Sequence, residues 1–543
     1  AAMVPEIFNE NEKEGFIMKK LATLILAAGM VVGAATGAKA IDFKAKGQWL
    51  MSFDYGEHGN FVKNNGAGKS SYGWGKGGED DFEARQRVRL QLDAVASESL
   101  SGTVQFEIGD QIWGRADQGG AVGADGKIIE LKHAYIDWML PDTDLKVRMG
   151  IQNVTLPSFT IGGSTVMAED VAGIVASYQF NENVGVTGVW MRPFNDNYTR
   201  NDSPTGINDN IDVGALLIPL TFDGIKVTPW GAYGGAGPNA FRADKTEVID
   251  YLTNANPSGK QSAYGYLRTG LLPVPVQKDY SNGYGKLGFA HNPSEYANIW
   301  YGGATGEFTI WDPLRIAWDF TYGSVTWDGS KSINRTGWLV SALVEYKMDW
   351  GVPGLLFWYG SGDDNNPNNG SERMPTIASN NTNDFSHFAF NGDPYIARDG
   401  VISNGDMGGL WGVGARVKDM SFIEDLKHTF RVNFIGGTNS PKMAKYMSTA
   451  GLWANGLGTV ASALPYGAGY SGMYMTTNDY ALELGLTNTY KMYENFTVSL
   501  EGDYIAMWLD TSKSVWGAGR TVGRHTPSTA DAWNINATFC YQF

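Results

Sequence analysis

The sequence predicts an all-β protein, a transmembrane antiparallel β-barrel of about sixteen to eighteen strands, with eighteen preferred. The first observation is strict alternation in the last segment, where one face carries Trp533, Ile535, Ala537, Phe539, Tyr541 and Phe543. The second is that similar alternation recurs along the whole chain. The third is that the connections are short and long in turn, as in barrels with short periplasmic turns and long outer loops. Lipid is the natural environment for the apolar face of such a closed sheet.

An export signal precedes the predicted barrel. Met18, Lys19 and Lys20 form a basic start, residues 21–35 are mainly apolar, and Ala38-Lys39-Ala40 supplies the small residues of a cleavage site. We therefore expect a signal peptide over residues 18–40 and one barrel domain over residues 41–543. Residues 1–17 are interpreted as an upstream extension or a misplaced start. This organisation predicts localisation in the outer membrane of a Gram-negative bacterium.

The alternating segments predict the strands in order along the chain. The first strand is expected over Lys44–Tyr55, where it would close against the last one, and clear alternation follows at 85–92, 103–108, 145–152, 315–322, 338–347, 479–487 and 496–504. Two central segments, Ile211–Leu220 and Glu307–Trp311, are weaker and decide between sixteen and eighteen strands. Either number encloses a water-filled channel. Because the first strand begins close to Ile41, no separate plug domain is expected, which predicts an open pore.

The connections and the aromatic residues support the membrane interpretation over a soluble sandwich. Short turns are expected at 97–100, 141–144, 181–183, 222–224, 312–313, 349–353, 421–425 and 493–495. Long loops rich in Gly, Asn and Ser are expected at 56–79, 111–127, 153–170, 194–209, 236–303, 363–407, 440–477 and 511–530. Aromatic girdles at the two membrane interfaces are predicted from Trp138, Trp190, Trp311, Trp350, Tyr490 and Trp508.

Composition excludes several other classes of protein. The chain has 543 residues, a net charge of -15, 70 glycines and one cysteine. Residues 1–40 hold equal numbers of acidic and basic side chains, so the predicted mature chain keeps the whole negative charge and nucleic acid is not an expected partner. A single cysteine does not fit a disulfide scaffold. No second apolar stretch is long enough for a spanning helix.

The basic residues on the predicted inner faces are the first candidates for a site. Arg85, Arg87 and Arg89 form a ladder on the second strand, and Lys146 and Arg148 continue it on the fifth. Such a ladder requires water or opposing charge. A wet lumen wall is one interpretation. The sharper one is a charged pore constriction in which a loop over Val154–Val171, containing Pro157 and Phe159 and ending near Glu169 and Asp170, folds inward so that its carboxylates face the arginines.

A family resemblance is carried by the signal peptide, the arginine ladder, the Pro157-Ser158-Phe159 and Gly162-Gly163 loop, and the terminal Phe543. These features resemble trimeric outer-membrane porins of Gram-negative bacteria. More closely, Ile41 to Phe543 resembles the outer-membrane homotrimeric porin family of sulfate-reducing bacteria. The resemblance implies a homotrimer in contact with lipid and lipopolysaccharide, with residues 154–171 as the constriction loop. It also implies that Phe539, Tyr541 and Phe543 are the assembly signal read by the barrel-insertion machinery. General porins usually carry an acidic residue where this chain has Ser158, and usually sixteen strands.

No motif indicates an enzyme, and no cofactor is expected. The six histidines have no metal-ligand spacing, and His133, facing inward, is most simply a residue of the lumen wall, with His428 on the lipid side. Cys540 is expected on the inner face. Asp364, Asn366 and Asn368 resemble part of a calcium loop, but Asn369 and Pro375 replace its required glycine and glutamate, which leaves only loosely bound divalent cations at the outer loops.

Two functions with the same architecture remain open. The first is a porin for passive diffusion of ions and small hydrophilic solutes. The alternative is a substrate-selective channel for a sugar or an organic anion, in which the loops 236–303 and 363–407 form an outer funnel. Stacking on a sugar could involve Tyr264, Tyr266, Tyr280 and Tyr284. The net charge predicts weak cation selectivity, although the ladder opposes it.

Overall fold

The protein is described by a computed structural model, which covers residues 41–57, 62–63, 81–116, 119–126, 129–195, 210–238, 240, 267, 270–273, 294–329, 331–379, 385–386, 407–449, 474–510, 528–529 and 531–543. The predicted signal peptide and upstream extension lie outside these residues. Eighteen barrel strands occur in the described part. The first nine are β1 Asp42–Glu57, β2 Asp81–Ser97, β3 Leu100–Ile112, β4 Glu130–Met139, β5 Lys146–Thr155, β6 Ala168–Gln179, β7 Gly185–Phe194, β8 (Ile211–Leu217 and Leu220–Phe222) and β9 Ile225–Ala236.

The second half of the barrel continues in the same antiparallel order. Its strands are β10 Ala297–Trp311, β11 Leu314–Thr326, β12 Arg335–Tyr346, β13 Val352–Gly360, β14 Leu410–Ile423, β15 Leu426–Gly437, β16 Tyr480–Tyr493, β17 Phe496–Trp508 and β18 Ala532–Gln542. The other described elements are the helix α1 Pro441–Thr449, a 3₁₀ turn Lys331–Ile333, and a short pair between Val62–Lys63 and Ser528–Thr529. No helix in the described residues is long and apolar enough to cross a membrane.

Each strand pairs with its neighbours in sequence, and the first pairs with the last, so the sheet is closed. This confirms the prediction of an eighteen-stranded antiparallel barrel. The two weak segments explain why the count was ambiguous. Strand β8 is interrupted at Ile218 and Pro219, and Glu307–Trp311 is the end of the long strand β10 rather than a strand of its own.

The two faces of the wall have opposite character, as the alternation predicts. The outer surface exposes large apolar side chains on every side of the barrel. The predicted girdle residues Trp138, Trp190, Trp311, Trp350, Tyr490 and Trp508 are all exposed near strand ends or turns. A closed sheet with an aromatic-rimmed apolar outer surface is the structure of an outer-membrane barrel. The chain is therefore a β-barrel protein of the Gram-negative outer membrane.

The first and last strands close the barrel in the predicted register. Tyr541 lies opposite Trp49, and Asn536 lies opposite Asp54. The backbone of Phe543 extends the ladder, because its N–H donates to Gly47 O at 3.1 Å and its carbonyl accepts from Gly47 N at 2.9 Å. Asn534, Asn536, Thr538 and Cys540 are buried on the inner side, and Ile535 and Phe543 are exposed on the outer side.

An apolar core lies within the lumen, at the level of the extracellular half of the strands. Inward strand residues such as Ile299, Leu339 and Trp358 pack with residues of the long loops, including Leu271 and Met374, and all are almost fully buried. The loops fold inward because their apolar side chains gain this burial. Loops between the strands therefore narrow the predicted pore at this level. No separate domain is needed for this filling, since the described segments are connections between strands.

Candidate functional site

The ladder on β2 faces the lumen and is met by carboxylates. Arg89 lies opposite Gln48, Arg87 opposite Leu50, and Arg85 opposite Ser52, all on the inner face. Arg85 Nε donates to Glu83 Oε2 at 2.9 Å. Arg89 Nε donates to Glu107 Oε2 on β3 at 2.5 Å. Arg87 is 9% exposed, so little of its side chain reaches the open lumen. Opposing charge therefore stabilises the ladder, as the spacing required.

Lys146 and Arg148 do not continue this ladder. Arg148 makes a two-pronged ion pair with Asp137, at 2.8 and 2.7 Å, and its guanidinium lies 4.1 Å from the centre of the Tyr135 ring. Following the register from Arg148 through Asp137 and Ser101 reaches β2 at Val95. Val95 is six positions beyond Arg89, an offset of about 20 Å along the strand. Lys146, at the start of β5, lies next to the short turn. The two groups therefore occupy different levels of the barrel.

The inward loop is shorter than predicted. Strand β5 continues to Thr155 and β6 begins at Ala168, so the loop spans residues 156–167. Glu169 and Asp170 belong to β6, where they pair with Val154 and Asn153. The loop itself carries no carboxylate. The two carboxylates therefore belong to the wall rather than to the loop, because ladder pairing extends into both ends of the predicted loop. Glu169 still interacts electrostatically with Arg89 of the ladder.

The loop crosses the lumen and is fixed to the wall at Asp319 on β11. Ser158 Oγ donates to Asp319 Oδ2 at 2.6 Å, the Phe159 N–H donates to Asp319 Oδ1 at 3.0 Å, and the Thr160 N–H donates to Oδ2 at 3.2 Å. The Thr160 hydroxyl also bonds to this carboxylate and lies 2.6 Å from Ser341 Oγ on β12. The loop thus contributes the hydroxyl of this contact, and the wall contributes the acid. Pro157 and Phe159 are half-buried at this contact.

A lattice of charges that could not be predicted as a site from the sequence adjoins the anchored loop. Arg315 Nε donates to Glu307 at 2.6 Å, its Nη1 to Glu345 at 2.8 Å, and its Nη2 to the carbonyl of Phe159 at 2.8 Å. Glu345 also accepts from Arg416 at 2.6 Å and from Lys418 at 3.1 Å. Lys226 completes the group at 3.1 Å from Glu307. We call Lys226, Glu307, Arg315, Glu345, Arg416 and Lys418 the basic lattice.

Part of the basic lattice could be recognised in the alternation of the sequence, which places its residues on inner faces. Arg315 and Glu345 both stand on the polar faces of predicted strands, but their strands are separated by a turn and their pairing depends on register. Arg416 and Glu345 come together through β13, which lies between them. Position on an inner face could be predicted from the sequence. The grouping of these six residues at one level could not.

Asp170 bonds to side chains of β4 rather than to the β2 arginines. Asp170 accepts from Lys132 Nζ at 2.7 Å and lies 2.9 Å from His133 Nε2 on β4. Strand β4 pairs with β5 only from Ala134 onward, while Glu130–His133 pair with β3 alone. The outer ends of β4 and β5 therefore separate, and Asp170 links them. We call this opening the β4–β5 seam. A cavity of about 390 Å³ adjoins it, lined by both lumen residues and the outward-facing Leu131 and Ile151.

Other loops narrow the lumen beside the first one. The segment 361–379, which follows β13, runs alongside the inward loop: Ile377 N–H donates to Val166 O at 2.9 Å and Ala168 N–H to Ala378 O at 2.8 Å. Further down the same side, the Phe385 ring lies 4.0 Å from the guanidinium carbon of Arg416. The Phe385 carbonyl accepts from the side chain of Asn433. Several loops, rather than one, therefore determine the width of the lumen.

The remaining candidate residues show no catalytic or metal-binding grouping in the described part of the chain. No cluster of three His, Cys, Asp or Glu side chains there is arranged to hold a metal ion. In the segment that resembles a calcium loop, Asp364 and Asn366 instead accept from the backbone N–H groups two residues on. His428 Nδ1 lies 2.7 Å from Asn488 Oδ1. The tyrosines considered for sugar stacking lie outside the described residues.

Comparison with known proteins yields structural relatives at low sequence identity. No protein-family model and no curated protein matches the chain. Among solved structures, Pseudomonas aeruginosa OpdQ is 12% identical, with 92% of this chain and 98% of that chain covered and a TM-score of 0.45. Pseudomonas aeruginosa OpdL is 8% identical, covering 92% and 99%, with a TM-score of 0.46. OmpT, an outer membrane protein of Vibrio cholerae, is 10% identical, covering 94% and 99%, with a TM-score of 0.36.

Proposed function

We propose that the protein is a substrate-selective channel of the outer membrane that passes small hydrophilic solutes, organic anions foremost. The observation that carries this proposal is the basic lattice next to the anchored loop. Among the described residues of the lattice, four cationic side chains share two carboxylates. Fixed positive charge at a narrow, partly desolvated passage attracts anions and disfavours cations.

The geometry supports an organic anion better than a sugar. Guanidinium and ammonium groups bind carboxylates by charge-assisted hydrogen bonds. Lys226 and Arg315 are the most exposed cations of the lattice, with 52% and 30% of their side-chain surface accessible. A sugar would instead require aromatic platforms, and those considered for it lie outside the described residues. This proposal reverses the weak cation selectivity expected from net charge, because charge at the constriction outweighs charge elsewhere.

The test is single-channel recording of the purified protein in planar bilayers. We expect discrete conductance steps, an anion-selective zero-current potential in a salt gradient, and saturable block by small carboxylates. A neutral sugar of similar size should block less. Ohmic conductance with no block by any carboxylate would support general diffusion instead, and an absence of steps would contradict a channel altogether.

A matched pair of lysine variants assigns the selectivity to the lattice. Lys418→Gln removes a charge 3.1 Å from Glu345, whereas Lys146→Gln removes an equal charge beside a periplasmic turn. We expect Lys418→Gln to raise the half-saturating carboxylate concentration about fivefold, equivalent to ~1 kcal/mol. Lys146→Gln should change it little. Equal effects of the two variants would place selectivity elsewhere in the lumen.

We further propose that the assembled protein is a homotrimer and that the barrel-insertion machinery recognises Phe539, Tyr541 and Phe543. The family resemblance supports both proposals. Heat-modifiable migration on gels, with a form of three times the chain mass at low temperature, tests the first. A single-chain mass in mild detergent would contradict it.

A further inference from the structure

An apolar groove crosses the lipid-facing surface of β6 to β10. It encloses about 860 Å³ and is lined almost entirely by apolar atoms. Its walls include Ile174, Trp190, Leu216, Tyr233 and Trp300, all exposed on the outer face. The groove is independent of the lumen and of the solute that passes through it.

The register of the strands divides this surface into three rows. The row nearest the middle of the membrane contains Gly188, Leu216 and Gly231, each opposite the next. Added side-chain atoms at Gly188 would meet nothing within 4 Å, so the backbone itself forms the floor of the groove. The next row contains Trp190, Gly214, Tyr233 and Trp300. Tyr233 and Trp300 pack with ring centres 4.3 Å apart.

The third row is polar and lies beyond the aromatic residues. Arg192 forms a two-pronged ion pair with Asp212, at 2.8 and 3.2 Å, and its guanidinium lies 5.4 Å from the Trp190 ring. In the same row Asn298 accepts from the Tyr233 hydroxyl at 3.0 Å. Each row is two residues from the next, about 6.6 Å along a strand. Long loops follow β7 and β9, so this end of the groove belongs to the outer leaflet.

The order of the rows matches the layers of a membrane interface. Exposed Trp and Tyr side chains mark the boundary between headgroups and hydrocarbon. Arg192 and Asn298 then lie at headgroup level, and the glycine floor lies at acyl-chain level. A guanidinium at headgroup level donates hydrogen bonds to phosphate oxygens, and the groove below it is lined by apolar atoms that suit an acyl chain.

From this geometry we propose that the groove is a binding site for a phosphorylated glycolipid of the outer leaflet, such as lipopolysaccharide. One acyl chain lies on the floor between Trp190 and Tyr233, and a headgroup phosphate contacts Arg192. A second copy of the chain fits this groove less well, because two convex barrel walls cannot fill a concave floor formed by backbone. An acyl chain can fill this concave floor, and its binding buries no polar group of the protein.

Native mass spectrometry of the purified full chain in detergent, with added lipid A, tests the proposal. We expect one lipid A to be retained per chain. Gly188→Leu fills the floor of the groove, and Arg192→Gln removes the guanidinium that contacts the phosphate. Each variant should weaken lipid A binding about tenfold. The matched controls are Gly502→Leu, an equally open glycine on the outer face of β17, and Lys427→Gln, an ion-paired cation near a periplasmic turn. Both should bind as the wild type does.

Three outcomes would overturn the proposal. Equal retention of lipid A by all four variants would show that the lipid binds elsewhere. Equal retention of phosphatidylethanolamine and lipid A by the wild type would show that no phosphorylated glycolipid is recognised. A fall in the mass of the assembled protein caused by Gly188→Leu but not by Gly502→Leu would show that a second copy covers the groove. None of these outcomes depends on the conductance that tests the proposed channel.

Discussion

Ser158 and Asp319 meet across the lumen, with the hydroxyl of the loop residue 2.6 Å from the carboxylate of the wall residue. Asp319 lies on β11, far around the barrel from β5 and β6, which the loop connects. Two backbone N–H groups and the hydroxyls of Thr160 and Thr305 converge on the same carboxylate. Asp319 is therefore the side chain on which most donors of the loop converge, and Arg315 adds a second anchor through the Phe159 carbonyl.

Asp319→Ala should release the inward loop. The substitution leaves several donors of the loop without an acceptor, and each orphaned buried donor costs about 1–3 kcal/mol. We expect the single-channel conductance to rise and its noise to increase, because the loop no longer has one fixed position. The control is Asp137→Ala, which breaks the Arg148 pair of the wall without contacting the loop. Unchanged conductance in Asp319→Ala, with changed conductance in Asp137→Ala, would contradict this role.

Asp170→Ala should destabilise the β4–β5 seam. Asp170 accepts from Lys132 and is bonded to His133, and its side chain is 19% exposed. Losing two such contacts costs on the order of 3 kcal/mol. Asp419→Ala breaks an exposed pair with Lys427 and should cost less than about 1 kcal/mol. Urea unfolding followed by gel migration would measure both. Similar midpoints for the two variants would show that the seam is stabilised by other contacts.

Acidification should tighten the segment 361–379. Burial, with the nearby Asp364 and Asp363 carboxylates, raises the pKa of Glu372 above its usual range. A carboxyl whose pKa is raised by folding favours the folded state when protonated, so its unfavourable contribution grows between the ordinary pKa and the raised pKa and is constant above the raised pKa. We expect amide exchange in this segment, corrected for its intrinsic pH dependence, to slow as the pH falls through the raised pKa toward the ordinary value of 4.5. Glu372→Gln should abolish this dependence, and an unchanged profile would contradict it.

The wall of the barrel could be predicted from the sequence because its information is local. Alternation along a strand identifies the inner face, so Cys540 was placed correctly without knowledge of its partners. Strand β8 was uncertain because Ile218 and Pro219 interrupt its pairing. Here tertiary closure of the sheet, rather than the pattern, completes the strand.

The candidate site could be predicted only in part because it depends on contacts between distant segments. The sequence indicated that the loop after β5 folds inward, and the structure confirms this. It did not indicate that the loop reaches Asp319, since the direction of a loop depends on where apolar and hydrogen-bonding partners lie across the lumen. Glu169 and Asp170 were assigned to the loop because the sequence near them does not show how far the pairing of β5 and β6 extends.

Phe543 offers a final test, because packing and recognition predict different results. Its ring lies 6.3 Å from that of Trp49 on the first strand and 5.9 Å from that of Tyr541. Its backbone pairs with Gly47, and this pairing does not require an aromatic side chain. If Phe543 acts only by packing, then Phe543→Ala and Trp49→Ala, which remove the same ring contact from opposite strands, should reduce folded protein equally.

We expect the two variants to differ in cells. Phe543→Ala should lower the amount of inserted barrel several-fold, because the proposed assembly signal is lost, whereas Trp49→Ala should lower it only slightly. Refolding of the purified variants in detergent, where no insertion machinery is present, should then show similar yields. Quantifying heat-modifiable barrel in outer-membrane fractions and in detergent distinguishes the cases. A matching loss in both settings would mean that Phe543 contributes through its contact with Trp49, and that recognition by the insertion machinery resides in other residues of β18.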